Sequence, residues 1–216
     1  MNSVARGGTR WKRFAVVMVP SVAATAAIGV AVAQGALAAS FSVSGQQFKV
    51  SASSLDGTNF VQYGALDTGK TGAHPVAVVG MKSATIHNLC QSVVVPVPVF
   101  GDVTMRLEAG GGKKPVEAGN IYIDADELSA DAEFTNIDIG VAAGDTNVAD
   151  GKGGRGPGIS PGDRGKADPN SFAQQADSVH FEKVKQRAWA TNAASFKLSG
   201  LHMAVKKGSG GKIECF

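Results

Sequence analysis

Apolar and polar residues alternate with a period of two along much of the chain. Phe41-Ser42-Val43, Phe48-Lys49-Val50 and Ile121-Tyr122-Ile123 are short examples. Val103-Thr104-Met105-Arg106-Leu107 sustains the pattern, with Thr104 and Arg106 on the opposite face. Such alternation marks strands with one buried and one solvated face. The apolar run at 93–99 carries Pro96 and Pro98, which belong at a sheet edge or in an extended crossover because proline donates no ladder hydrogen bond. Helical stripes are scarce, and the best candidate, residues 173–187, reads also as a strand through Val179, Phe181 and Val184. The pattern predicts an all-β chain: one domain of successive antiparallel or rolled strands, as a sandwich, a curved sheet or an irregular solenoid.

A loose internal similarity points the same way. Ala84-Thr85-Ile86-His87-Asn88-Leu89, Ala132-Glu133-Phe134-Thr135-Asn136-Ile137 and Ala194-Ser195-Phe196-Lys197-Leu198-Ser199-Gly200-Leu201 each set a small residue two before a large apolar one. A further apolar residue follows three or five positions later. Asp177-Ser178-Val179-His180-Phe181-Glu182-Lys183-Val184 is a weaker member. The irregular spacing suits strands stacked on one bent sheet better than a solenoid of fixed repeat. The alternative is that short strands in any β domain look alike.

Two segments break the strand pattern. Residues 1–38 open with Arg6, Arg10, Lys12 and Arg13, continue through an apolar stretch at 14–33 and end in Ala36-Leu37-Ala38. That order is a secretory signal peptide. An uncleaved anchor is the alternative, and either form places residues 39–216 outside the cytoplasm, secreted or associated with the cell envelope, with membrane contact only through the leader. Residues 150–170 are crowded with glycine, proline and charge, and read as a flexible surface loop within that single domain.

Charge changes the picture once the leader is set aside. The chain has 21 basic and 18 acidic residues, and removing the leader's four basic ones leaves 17 against 18. The remaining domain offers no global attraction for nucleic acid. Cys90 and Cys215 are the two cysteines. In an oxidising compartment such a pair is expected to bridge, closing a loop worth roughly 4–5 kcal/mol in the chain-entropy model. Two free thiols are the alternative. The spacings CxxC and HExxH are absent, so no metal site is expected from them.

Two motifs resemble catalytic signatures. Gly64-Ala65-Leu66-Asp67-Thr68-Gly69-Lys70-Thr71 fits the P-loop pattern, but Gly72-Ala73-His74-Pro75 is a poor helix start, and a turn between strands fits better. Gly158-Ile159-Ser160-Pro161-Gly162 fits the nucleophile elbow of α/β-hydrolases, but it lies in the Gly-rich segment with proline after the serine. An acidic run holds nine carboxylates between Glu117 and Asp150 without Lys or Arg. Asp124 and Asp126 share one strand face there, opposite Ile121, Ile123 and Ala125. A solvated face is the first reading and a calcium site the second, without EF-hand spacing. His74, His87, His180 and His202 are scattered singly and read as surface or satisfied groups. No catalytic, cofactor-binding or metal-ligating residue is assigned.

The stretches Ala84-Thr85-Ile86-His87-Asn88-Leu89-Cys90-Gln91-Ser92, Phe134-Thr135-Asn136-Ile137-Asp138-Ile139-Gly140, Phe172-Ala173-Gln174-Gln175-Ala176-Asp177-Ser178-Val179, Phe196-Lys197-Leu198-Ser199-Gly200-Leu201 and Cys215-Phe216 carry a resemblance. The chain resembles a family of exported actinobacterial proteins of unknown function, some labelled cholesterol esterase. The resemblance strengthens the export reading and the Cys90–Cys215 bridge and implies no mechanism. Three functions are carried forward: non-enzymatic binding of a lipid or other apolar small molecule, hydrolysis of lipid or sterol esters, and a surface protein that engages an envelope partner through an edge strand.

Overall fold

The computed structural model describes residues 45–69 and 72–216. The leader, the Phe41–Val43 alternation, Lys70 and Thr71 lie outside the described residues. Among the described residues nine strands follow in chain order: β1 (Phe48–Gly69), β2 (Gly72–His87), β3 (Leu89–Val97), β4 (Gly101–Ala109), β5 (Val116–Thr135), β6 (Asp138–Ala142), β7 (Phe172–Asn192), β8 (Ser195–Lys197) and β9 (His202–Lys207). The ambiguous 173–187 segment is strand, within β7.

The first three strands form one long antiparallel ribbon. β1 pairs with β2 from Ser54–His87 to Gly69–Gly72, and the same register continues into β3 through Ser51–Cys90 and Phe48–Val93. β5 lies on the far side of β2, and β7 pairs with both β5 and β1. The sheet thereby closes through β1, β2, β5 and β7 into a small barrel, and closure removes the exposed edges of these strands. β4 and β9 extend the sheet outward from β3. Pro96 falls at the end of β3, beyond the stretch that pairs with β1, and Pro98 in the turn after it.

The internal similarity has a backbone cause. Asn59, Asn88, Asn120, Asn136 and Lys183 adopt left-handed φ values of 47–53°. Each is followed by a large apolar residue: Phe60, Leu89, Ile121, Ile137 and Val184. A left-handed residue reverses the side-chain alternation. It does so at Asn59 and Asn120 without a register shift, since Thr58–Ser83 and Val61–Gly80, and Gly119–Ser83 and Ile121–Met81, keep one register. Apolar residues three apart, rather than two, then face the same side. Ile86 and Leu89, Ala118 and Ile121, and Phe181 and Val184 are such pairs, all buried in one core. Asparagine suits these corners because its short polar side chain tolerates the left-handed region. Gly200, with φ of 68°, holds the same place between Leu198 and Leu201.

Two cores result. The inner one lies inside the barrel and includes Leu55, Phe60, Met81, Ile86, Ile121, Val179, Phe181 and Val184. The outer one lies on the other face of the same strands, where Val61, Tyr63, Ala65, Val76, Val78 and Tyr122 pack with Ala143, Ala167 and Ala173. The chain's end is tied to β3. Cys90 and Cys215 are bonded with Sγ atoms 2.00 Å apart, and the Cys215 amide donates to Ser92 Oγ at 3.1 Å. Lys49 reaches Glu214 at 2.7 Å and donates to the Phe216 carbonyl at 2.9 Å.

The segment at 150–170, read from sequence as a surface loop, has no strand of its own. It lies over the outer core with Ser160, Asp163 and Ala167 buried. Its base is closed by Ala143 N donating to Ser171 O and Gly144 N to Pro169 O, at 3.0 and 2.8 Å. Composition alone counts apolar surface, of which it has little. Hydrogen bonds to the barrel wall supply what that count omits.

Candidate functional site

The barrel interior is filled at one end and hollow at the other. Phe60, Phe134 and Phe181 pack edge-to-face, with ring centroids 5.1–6.2 Å apart, and plug the first end. Towards the other lies a cavity of about 390 Å³. β1 contributes Phe48, Val50, Ala52 and Leu55 to its wall, β2 and β3 Ile86 and Leu89, β5 Ile121 and Ile123, and β7 Val184. Gln91, Gln186 and Thr191 add three polar groups, and Phe196 of β8 completes the wall. The volume and the apolar lining with few polar groups are those of small-molecule pockets.

The outer face is built differently. Along β1, Val61, Tyr63, Ala65 and Asp67 alternate onto it, and all four are buried. Tyr122 and Asp124 of β5 reach the same face. The Tyr122 ring lies over Gly80, where any Cβ would stand 2.7 Å from it. Gly156 likewise lets the covering segment approach β1, since a Cβ there would stand 2.7 Å from the Val61 Cβ. Polar contacts then fix the cover. Tyr63 accepts from the Ser160 amide and donates to Asp163 Oδ2, both at 2.8 Å. The Tyr122 hydroxyl donates to the Pro157 carbonyl at 3.2 Å, and Asn59 Nδ2 to the Arg155 carbonyl at 2.8 Å. Arg155 in turn donates to Asp138 and Asp177 at 2.8 and 3.0 Å.

Three carboxylates meet beneath this cover. Asp67, Asp124 and Asp163 are each 3–4 % exposed. One carboxylate oxygen from each lies within 4.8 Å of the others. Asp67 Oδ2 and Asp124 Oδ1 are buried without a hydrogen-bond partner. Burial first, then the Asp67 and Asp163 charges, pushes the Asp124 carboxyl up to about 8. Burial also raises Asp67 and Asp163. The phenols follow the same physics. Tyr63 is held well above its usual range by burial and then by the Asp163 charge, and Tyr122 is raised by the same two causes to about 12.

Of the stretches singled out from sequence, the P-loop-like one, the GxSxG one and the acidic run meet at this outer face through Asp67, the turn capped by Ser160, and Asp124. Gly64–Gly69 of the P-loop-like stretch lie in β1 and pair antiparallel with Gly72–Ala77 of β2, so these described residues are the end of a strand pair. Ser160 of the GxSxG stretch is buried, and its Oγ accepts from the Gly162 amide at 3.2 Å, capping a 3-10 turn at Pro161–Asp163. Asp124 does not face solvent as its alternation suggested, because both faces of β5 are covered from Ile121 to Ala125. Asp126 is the exposed member of that pair and accepts from Gln47 Nε2. His74 stacks on Trp189 at 3.9 Å between ring centroids, and His180 Nδ1 lies 2.7 Å from Asp56. The buried acidic group was missed. Its sequence signal was a carboxylate in phase with an apolar stripe, Asp67 after Val61, Tyr63 and Ala65.

No curated protein and no solved structure matches the chain. A family profile matches residues 44–216, which takes in every strand described above. The chain therefore belongs to the family of unknown function DUF6230.

Proposed function

We propose that the protein acts outside the cytoplasm as a non-enzymatic carrier or receptor of an apolar small molecule, a lipid chain with a neutral polar head. The cavity of about 390 Å³ inside the barrel is the observation that carries this reading. Its apolar wall suits the chain, and Gln91, Gln186 and Thr191 offer hydrogen bonds to a head without fixing a charge. The leader-like N-terminus and the bonded Cys90–Cys215 pair support the extracytoplasmic setting.

Displacement of a fluorescent fatty-acid probe tests the reading. Wild-type protein should bind the probe in the micromolar range or tighter, and natural lipids extracted from the producing cells should displace it. Leu55→Trp fills the cavity and should weaken probe binding at least tenfold while the circular dichroism spectrum stays that of a β protein. Equal binding by both proteins, or no binding by either, would overturn the proposal. Labelling of a serine by a fluorophosphonate would instead favour an ester hydrolase.

A further inference from the structure

We propose that Asp67, Asp124 and Asp163 form a binding site for one hard divalent cation, calcium by preference, that clamps the Gly-rich cover onto the barrel wall. The three carboxylates come from separate parts of the chain: β1, β5 and the 3-10 turn at Pro161–Asp163. An ion between them would join elements far apart in sequence.

The geometry fits one ion. Calcium holds oxygen ligands at about 2.3–2.6 Å, so oxygens on opposite sides of it stand roughly 5 Å apart. The three carboxylate oxygens here all lie within 4.8 Å of one another. The independent observation is the state of the oxygens. Asp67 Oδ2 and Asp124 Oδ1 are without a partner in side chains 3 and 4 % exposed. Unpartnered buried carboxylate oxygens are costly, and native structures rarely keep them without an ion or a proton. The donor set decides the class of ion. Three carboxylates without thiolate favour calcium, magnesium or manganese over zinc. Calcium tolerates irregular geometry and completes its shell with carbonyls and water, whereas magnesium demands a near-octahedral arrangement.

The competing explanation is internal neutralisation by a proton shared between Asp67 and Asp124, helped by the positive charge of Lys166, which acts on all three carboxylates. The two explanations diverge under chelation. Calorimetric titration of chelator-treated protein with calcium chloride should show one site per chain, and saturating calcium should raise the melting temperature by several degrees over the protein in EDTA. Terbium bound at the same place should luminesce through Tyr63, Tyr122 and Trp189. Asp67→Asn and Asp163→Asn, tested separately so that one misfolded variant does not decide the matter, should each weaken calcium at least tenfold and abolish the luminescence. The absence of a calorimetric signal together with a melting temperature indifferent to calcium would overturn the proposal. Calcium binding undiminished in both variants would also overturn it.

Discussion

The two faces of the barrel wall are built from the same strands and held by different physics. The inner face is apolar and incompletely filled: an aromatic trio closes one end, and a cavity of about 390 Å³ remains towards the other. The outer face is covered by a segment with few apolar side chains. It is secured by the Tyr63, Tyr122 and Asn59 hydrogen bonds and contains three buried carboxylates. Space inside an otherwise close-packed interior suits a ligand that comes and goes. Directional polar bonds on the outer face hold one cover in one place, which apolar contact alone does less selectively.

Substitutions that strike one face and spare the other sharpen this contrast. The largest effect is expected from Phe60→Ala, which removes the centre of the aromatic plug and should cost about 3–5 kcal/mol by chemical denaturation. Joint replacement of Cys90 and Cys215 by alanine removes the covalent tie between the tail and β3 and should cost about 3 kcal/mol, within the usual range for a native bridge. Tyr63→Phe attacks the outer face alone. It leaves Asp163 without a donor and the Ser160 amide without an acceptor, and should cost about 2 kcal/mol. Fatty-acid probe binding should stay unchanged in Tyr63→Phe, since Tyr63 does not line the cavity.

A graded effect should appear with pH. Folded Asp124 holds its proton up to about 8, against an unfolded value of about 4, so the folded protein binds more protons across that window. Metal-free protein should therefore be more stable towards the lower end and lose stability as pH rises towards 8. The charged groups that act on Asp124 are Asp67 from β1 and Asp163 and Lys166 from the cover, while His74 of β2 acts on Asp67 and Arg164 of the cover on Tyr122. Because other groups also titrate, the measure is wild type minus Asp124→Asn, and this difference should flatten when calcium is added. The smallest effect concerns the corners. Asn88→Ala places alanine in the left-handed region at a cost of about 1 kcal/mol, whereas Asn88→Gly should lose less.

The inner face was more legible in the sequence than the outer. Alternation at Phe48–Val50 and Ile121–Ile123 identified strands, and the repeated Ile86–Leu89 and Phe134–Ile137 spacing pointed to a bent sheet. The left-handed asparagine behind that spacing was hidden, because a phase shift looks like irregularity until the backbone shows it. The two corners at Asn59 and Asn120 were missed, since Gly57 and Ala118 are too small to register as the first apolar member. Barrel closure depends on β7 reaching back to β1, a pairing across more than a hundred residues that no local pattern encodes. The outer face was misread for one reason. A strand that alternates apolar and polar is assigned a solvated side, and nothing in β5 itself announces that residues 143–171 fold over it. Asp124 therefore looked exposed.

Native mass spectrometry of protein isolated without detergent, before and after EDTA, tests the contrast between the faces most directly. A lipid mass should persist through chelation and be absent from Leu55→Trp. Protein that carries no lipid in its native state, with an identical spectrum for Leu55→Trp, would contradict it.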